Sequence, residues 1–216
     1  MKRLFLAFLG SVALVGAAAA ADLGPPQGNY YKAPEVYAPP YTWTGFYLGI
    51  NGGGGFGRSN WGGVGSFNTS GGLVGGTIGY NYQVGSAVFG AEGDIDWADI
   101  NGTGPLGVRT KDSWLSTVRG RLGYAAGRFM PYVTGGAAFG NIQASAPGFP
   151  GATATNVGWT IGAGLEFGLV GNWTLKAEYL YVDLGKFNCG FSCGLTPVEN
   201  VSFTTNVVRA GLNYRF

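Results

Sequence analysis

Hydrophobic and polar residues alternate along most of the chain from Trp43 to its last residue. A period of two residues is typical of strands that have one apolar and one polar face. The alternation predicts eight strands, at about 44–57, 72–84, 87–98, 112–125, 129–141, 156–168, 172–184 and 203–216. In the last strand the apolar face consists of Val208, Ala210, Leu212, Tyr214 and Phe216.

The apolar faces of these strands carry no charge, whereas the opposite faces carry both signs. The acids on the polar faces are Glu92, Asp94, Asp96, Glu166 and Glu178, and the bases are Arg119, Arg121, Lys176, Arg209 and Arg215. Five acids therefore balance five bases. A water-soluble sandwich would show the same alternation with its apolar face as the core, so alternation by itself leaves two architectures open.

The connections between the strands alternate in length, which favours a membrane barrel. The long ones are 58–71, 99–111, 142–155 and 185–202, and the short ones are 85–86, 126–128 and 169–171. Outer-membrane barrels have long outer loops and short periplasmic turns. Aromatic residues also cluster near both strand ends, as expected for two interfacial girdles. Because lipid offers no hydrogen-bond partner to an open sheet edge, the sheet must close.

The predicted fold is therefore all-β, an eight-stranded antiparallel up-and-down transmembrane β-barrel over residues 43–216. Eight strands leave an interior just wide enough for side chains to fill. The chain stops at Phe216. With Leu212 and Tyr214, this terminal aromatic resembles the C-terminal signal read by the outer-membrane assembly machinery, which is thus an expected partner.

The first 42 residues precede the barrel and divide into two segments. Lys2 and Arg3 are followed by an apolar run that ends in consecutive alanines. This pattern predicts a secretory signal peptide over residues 1–21, with an anchor helix as the less favoured reading. Residues 22–42 are rich in Pro and Tyr and predict a periplasmic linker. Once Lys2 and Arg3 are removed, eleven basic residues face eleven acidic ones, so nothing suggests nucleic acid as a partner.

Candidate chemistry is sparse. The chain has no histidine, the usual general base of hydrolases, so we expect no enzyme, no catalytic residues and no cofactor. Gly52, Gly54 and Gly57 match a dinucleotide-binding spacing, but no helix is predicted to follow them. Cys189 and Cys193 favour a local disulfide over a metal site, because export places them in an oxidising compartment and histidine ligands are lacking.

Several segments together resemble a known family. They are TWTGFYLGINGGGGFG, GGLVGGTIGYNYQ, GAEGDIDWADI, RGRLGYAAGRFMPYVTGGAAFG, TLKAEYLYVDLG and VVRAGLNYRF, in this order. They resemble the outer-membrane immunogenic (surface-antigen) barrels of alphaproteobacteria, within the superfamily of OmpA-like transmembrane barrels. The resemblance implies a location in the cell outer membrane, lipid and lipopolysaccharide as surroundings, and a role in envelope integrity or surface contact.

The interior charges leave two hypotheses open. Glu92, Asp94 and Asp96 lie one strand from Arg119 and Arg121, so an antiparallel hairpin brings them together. The charges on the polar faces either pair and plug the lumen, which we favour, or form a gate for small solutes. The corresponding functions are a structural surface antigen and a narrow porin-like diffusion channel. A third hypothesis is an adhesin that binds host or environmental ligands through its loops.

Overall fold

A computed structural model shows a closed barrel and describes residues 41–61, 65–104, 107, 109–145, 147–148, 150–187 and 201–216. Its strands are β1 (Gly45–Trp61), β2 (Gly65–Val84), β3 (Ala87–Thr103), β4 (Arg109–Tyr124), β5 (Phe129–Ser145), β6 (Ala152–Gly168), β7 (Trp173–Phe187) and β8 (Val201–Arg215). Each strand pairs antiparallel with the next, and β1 pairs with β8. The predicted fold class is confirmed. The described part of the chain contains no helix capable of spanning a bilayer.

The two faces of the strands point as the alternation predicts. Large apolar side chains cover the outside of the barrel, for example Ile78, Ile95, Leu122, Ile161 and Val208, each at least half exposed. The charged residues of the polar faces are buried inside. An exposed apolar belt around a buried charged interior is the reverse of a water-soluble protein, and it suits a barrel surrounded by lipid.

The strands extend further than predicted at the end of the barrel that carries the long connections, here called the loop end. The predicted loop at 58–71 is mostly a paired hairpin, in which Arg58 lies opposite Asn68 and Trp61 opposite Gly65. These strand boundaries were wrong because Gly, Ser and Asn have low strand propensity. Pairing with a neighbouring strand overrides that propensity, since it satisfies the backbone hydrogen-bonding groups.

The short connections lie at the opposite end, here called the turn end, which also holds Phe216. Residues 85–86 join β2 to β3, 125–128 join β4 to β5, and 169–172 join β6 to β7. Each contains one glycine with a positive φ, of 59° at Gly85, 62° at Gly127 and 67° at Gly171. Such angles are unfavourable for most residues with a Cβ atom but not for glycine, which explains the glycine in each tight turn.

Inward-facing glycines make room for the long interior side chains. A Cβ atom at Gly75 would lie 2.1 Å from Oδ1 of Asp96, and one at Gly90 would lie 2.7 Å from Cγ of Arg121. The crowding extends to the backbone at Gly136, opposite Arg119, where a Cβ would lie 2.1 Å from the carbonyl oxygen of Val118. The narrow interior therefore accommodates its large side chains only because glycines lie next to them.

We expect Gly136→Ala to lower the free energy of unfolding by about 1–3 kcal/mol, because the added methyl group must displace backbone atoms. The matched control is Gly120→Ala on β4, whose Cβ would lie 4.0 Å from the nearest atom, the carbonyl oxygen of Gly135. Urea titration of both variants in lipid vesicles measures the difference. Equal stability of the two variants would contradict a crowded interior at Gly136.

Candidate functional site

The lumen is the candidate functional site, and three layers of side chains fill it along the barrel axis. At the turn end lies an apolar layer of Trp43, Val88, Met130 and Tyr132. The middle is a charged layer of Glu92, Asp94, Asp96, Arg119, Arg121, Glu166, Lys176, Glu178 and Arg209. At the loop end lies a second apolar layer of Leu73, Ala98, Ile100, Leu115, Ala138, Ile142, Leu180, Val182, Leu184, Phe203 and Val207.

All nine residues of the charged layer were singled out from the sequence, and each is at most 5% exposed. Neighbouring strands bring some of them together directly, since Glu92 lies opposite Arg119 and Glu178 opposite Arg209. Others meet across the lumen, from strands that do not pair. Arg119 on β4 thus reaches Glu178 on β7, with Nη1 2.8 Å from Oε1.

Arg119 and Arg209 form the centre of the charged layer because they share two carboxylates. Arg119 binds Glu92, and its Nη2 atom lies 2.7 Å from Oδ2 of Asp94. Arg209 Nη2 lies 3.0 Å from the same Asp94 oxygen and 2.8 Å from Oε2 of Glu178. Its Nη1 atom lies 2.6 Å from Oδ2 of Asp96. These bonds cross-link β3, β4, β7 and β8 through the interior.

A second group of contacts surrounds Glu92 towards the turn end. Lys176 Nζ lies 3.0 Å from both Glu92 carboxylate oxygens, and the Tyr47 hydroxyl donates to Oε2 at 2.7 Å. Arg121 Nη2 lies 2.6 Å from Oε2 of Glu166, and its guanidinium carbon lies 4.0 Å from the centre of the Tyr132 ring. Charge patterning did not single out Tyr47 and Tyr132. Their inward position on β1 and β5 is the signal that could have found them.

The charged layer holds one more acid than bases, although the polar faces as a whole carry equal numbers. Arg215, the fifth base of the polar faces, lies apart from it at the turn end, where its guanidinium carbon is 4.4 Å from the centre of the Tyr41 ring and 5.3 Å from that of Trp43. It donates to the carbonyl oxygen of Thr42. The layer therefore holds five carboxylates and four cations. Arg215 is buried on the same inward face as the other nine charges, but β8 places it at a different height along the axis, so the equal count on the polar faces does not carry over to this layer.

The turn end of the lumen is covered by Trp43. Its side chain is fully buried, Nε1 donates to the carbonyl oxygen of Gly127 at 3.0 Å, and its backbone nitrogen donates to Oε1 of Gln83 at 2.7 Å. These bonds anchor the segment before β1 to the end of β2 and to the β4–β5 turn. The alternating pattern marks Trp43 as the start of the barrel, whereas its covering position follows only from these contacts.

The predicted C-terminal signal lies on the outer face of the barrel at the end of β8, and the predicted disulfide lies outside the described residues. Leu212, Tyr214 and Phe216 point outward, and the Tyr214 ring lies 5.1 Å from that of Trp173 and 5.2 Å from that of Phe216. Their role as an assembly signal stays a prediction. Cys189, Cys193, the signal peptide and residues 22–40 of the linker lie outside the described residues. Within the described ranges, no cluster of His, Cys, Asp and Glu has the composition of a metal site.

Comparison with known proteins agrees with this architecture. The family described as "Outer membrane protein beta-barrel domain" matches residues 6–216. This chain belongs to the outer-membrane β-barrel family. A 31 kDa outer-membrane immunogenic protein of Brucella melitensis is 37% identical to it over 249 aligned positions that cover 100% of both chains. A 22 kDa outer membrane protein of Rhizobium leguminosarum bv. viciae is 34% identical over 82% of this chain and 80% of the relative.

The structural comparison supports the family's fold. Neisserial surface protein A matches with a TM-score of 0.51 and 15% identity, over 80% of this chain and 98% of that protein. The chain is thus an outer-membrane β-barrel related to outer-membrane immunogenic proteins, and the resemblance found in the sequence is confirmed. Its outward apolar belt faces lipid in the cell outer membrane, and its charged layer lies at the depth of that belt.

Proposed function

We propose that this barrel is a sealed structural protein of the outer membrane, which supports envelope integrity and exposes its loop-end hairpins as a surface antigen. It is not an enzyme, and its surroundings are outer-membrane lipid and lipopolysaccharide. The observation that carries the proposal is the three-layered filling of the lumen. An ion path would have to cross two apolar layers and a charged layer whose members already bind one another.

The charged layer stabilises the barrel rather than selecting solutes. Charges buried away from water are tolerated only when they are paired and hydrogen-bonded. Arg119 meets three carboxylates and Arg209 meets three, so moving either side chain to open a path would leave buried carboxylates without a cation. In a narrow diffusion channel, which is the rival hypothesis, each opening would break these ion pairs and leave buried carboxylates without a cation.

Surface contact has separate support in the length of the hairpins. The β1–β2 ladder runs five residues past Phe56, to the pair Trp61 and Gly65, and its outward residues there are polar. Paired strands hold such a tip more rigidly than a free loop, which suits recognition by another molecule. Adhesion through these tips is the second candidate function.

Single-channel conductance of the mature protein in a planar bilayer tests the sealed barrel. We expect no conductance from the wild type, and none from Arg119→Ala, because the apolar layers on either side stay in place. A combined Trp43→Ala, Arg119→Ala and Phe203→Ala variant, which weakens all three layers, should conduct if it folds. A sixteen-stranded porin in the same bilayer is the positive control.

A reproducible wild-type conductance that rises in Arg119→Ala would overturn the sealed barrel and favour the channel. Loss of the folded band of Arg119→Ala on unheated gels would make that variant uninformative about gating, in which case the wild-type trace alone decides.

A further inference from the structure

The outward face of the barrel changes from apolar to polar just beyond the aromatic girdle of β3 and β4. Trp97 and Trp114 lie opposite each other and mark the girdle at the loop end. Beyond them, the outward residues on four neighbouring strands are all polar. They are Asp99 and Asn101 on β3, Arg109 and Lys111 on β4, Gln143 and Ser145 on β5, and Thr153 on β6, and together they are called the rim patch.

A β-bulge turns the two cations of the rim patch outward. The pairing of β4 with β5 shifts register between Asp112 and Leu115. Strict alternation from the inward Leu115 would place Lys111 and Arg109 inside the lumen. The extra residue reverses the phase, so Asp112 and Thr110 are buried while Lys111 and Arg109 are exposed. Bulges often re-aim side chains in this way.

The rim patch forms a cavity of about 490 Å³ rather than a flat surface. Its lining includes Asp99, Asn101, Arg109, Lys111, Gln143 and Thr153, and Pro150 and Gly151 border it from the connection before β6. The side-chain amides of Asn101 and Gln143 and the hydroxyl group of Thr153 can form hydrogen bonds with the hydroxyl groups of a sugar. The cavity is thus both concave and polar, and it opens on the side of the barrel.

The cations of the patch are available to an anion. Lys111 Nζ lies 3.1 Å from Oδ1 of Asp99, but both side chains are about half exposed or more, so water weakens that pair. The Nε atom of Arg109 donates to the Thr103 hydroxyl at 3.3 Å. Within the described ranges, the terminal guanidinium nitrogens of Arg109 have no hydrogen-bond partner. Such nitrogens bind phosphate in a bidentate manner.

The position of the patch indicates which anion it meets. A strand rises about 3.3 Å per residue, so side chains two to five residues beyond Trp97 lie at the level of lipid head groups. The loop end of such a barrel is extracellular, and the patch faces sideways into the outer leaflet. We propose that the rim patch binds the phosphorylated saccharide head group of an outer-leaflet glycolipid, lipopolysaccharide. This inference deepens the proposed function by assigning a binding site to that lipid.

Arg58 offers a matched control for the experiment. It is an exposed cation at the loop end on β1, opposite Asn68 and Thr204, and it does not line the cavity. The mature protein, its Arg109→Gln/Lys111→Gln variant and its Arg58→Gln variant are titrated with diphosphoryl lipid A in detergent. Native mass spectrometry then counts the lipid that each protein retains. We expect about a tenfold or greater loss of affinity in the double variant alone.

Three further arms separate the sources of phosphate. Dephosphorylated lipid A should bind the wild type about as weakly as diphosphoryl lipid A binds the double variant, and phosphatidylglycerol should not discriminate between the proteins. Inorganic phosphate should compete only weakly, since it lacks the sugar. Equal losses in Arg58→Gln and the double variant, or full competition by inorganic phosphate, would overturn the site. Lipid binding and conductance are separate measurements, so the proposed rim patch and the proposed sealed lumen can be refuted independently.

Discussion

Arg119→Met is expected to lower the free energy of unfolding by about 3–5 kcal/mol, because it leaves buried carboxylates without their cation. Arg119 is 2% exposed and bonds to Glu92, Asp94 and Glu178. Methionine keeps most of the side-chain volume, so the loss reports on charge more than on packing. Urea titration in lipid vesicles, read by the band shift of the folded barrel on unheated gels, measures it.

Because the charged layer holds five acids and four bases, removing a base should destabilise the barrel more than removing an acid. Removing Arg119 leaves five carboxylates against three cations, whereas Glu178→Gln leaves four against four. We therefore expect Glu178→Gln to cost clearly less than Arg119→Met, and the double variant to recover part of the loss. Losses that simply add in the double variant would contradict a coupled charged layer. Lys111→Met, at the solvated pair with Asp99, is the control and should change stability little.

Ala163→Arg is expected to cost about 2–4 kcal/mol, the range for a cation on the lipid face near the middle of the bilayer. Ala163 is an outward residue of β6, midway between the girdle residues Trp159 and Phe167. The same titration in vesicles measures this loss. Ala163→Leu keeps the position apolar and should not destabilise the barrel.

A second control tests how deep the position lies in the bilayer, not which side of the strand it is on. Val157→Arg lies on the same face of β6 but on the loop-end side of Trp159, at the level of Phe139. Because the cost of a cation falls to about 0–1 kcal/mol near the interface, this variant should be far milder than Ala163→Arg. Equal losses at the two positions, or wild-type stability of Ala163→Arg, would refute the proposed position of the membrane.

Much of the fold could be predicted because a transmembrane barrel imposes a strict pattern. Every residue of a strand faces either lipid or lumen, so the period of two assigns Ile161 and Glu166 to their sides without any knowledge of contacts. The strand ends at the loop end could not be predicted in this way. Beyond the bilayer nothing forces the outward residues to be apolar, so the signal fades around Arg58 while the pairing continues to Trp61.

The candidate site was predictable in its members but not in its arrangement. Facing follows from the sequence pattern, whereas height along the axis depends on how each strand is staggered against the next. Because of this stagger, Arg119 and Glu178 lie at the same height and meet across the lumen, whereas Arg215 lies at the turn end. The apolar layers were missed for a related reason, since Leu115 and Phe203 lie on faces that the pattern marked as polar.

The sequence by itself determined the outer-membrane barrel, the sidedness of its strands and the identity of the buried charges, because lipid and lumen select residues one position at a time. Only the tertiary structure decided which charges bind one another, that Trp43 and the apolar layers cover them, and that Arg109 and Lys111 face outward. Those features depend on register, on a bulge between Asp112 and Leu115, and on contacts between strands distant in the chain. The alternation of apolar and polar residues does not determine them, because it assigns each residue to a face but contains no information on the stagger between neighbouring strands.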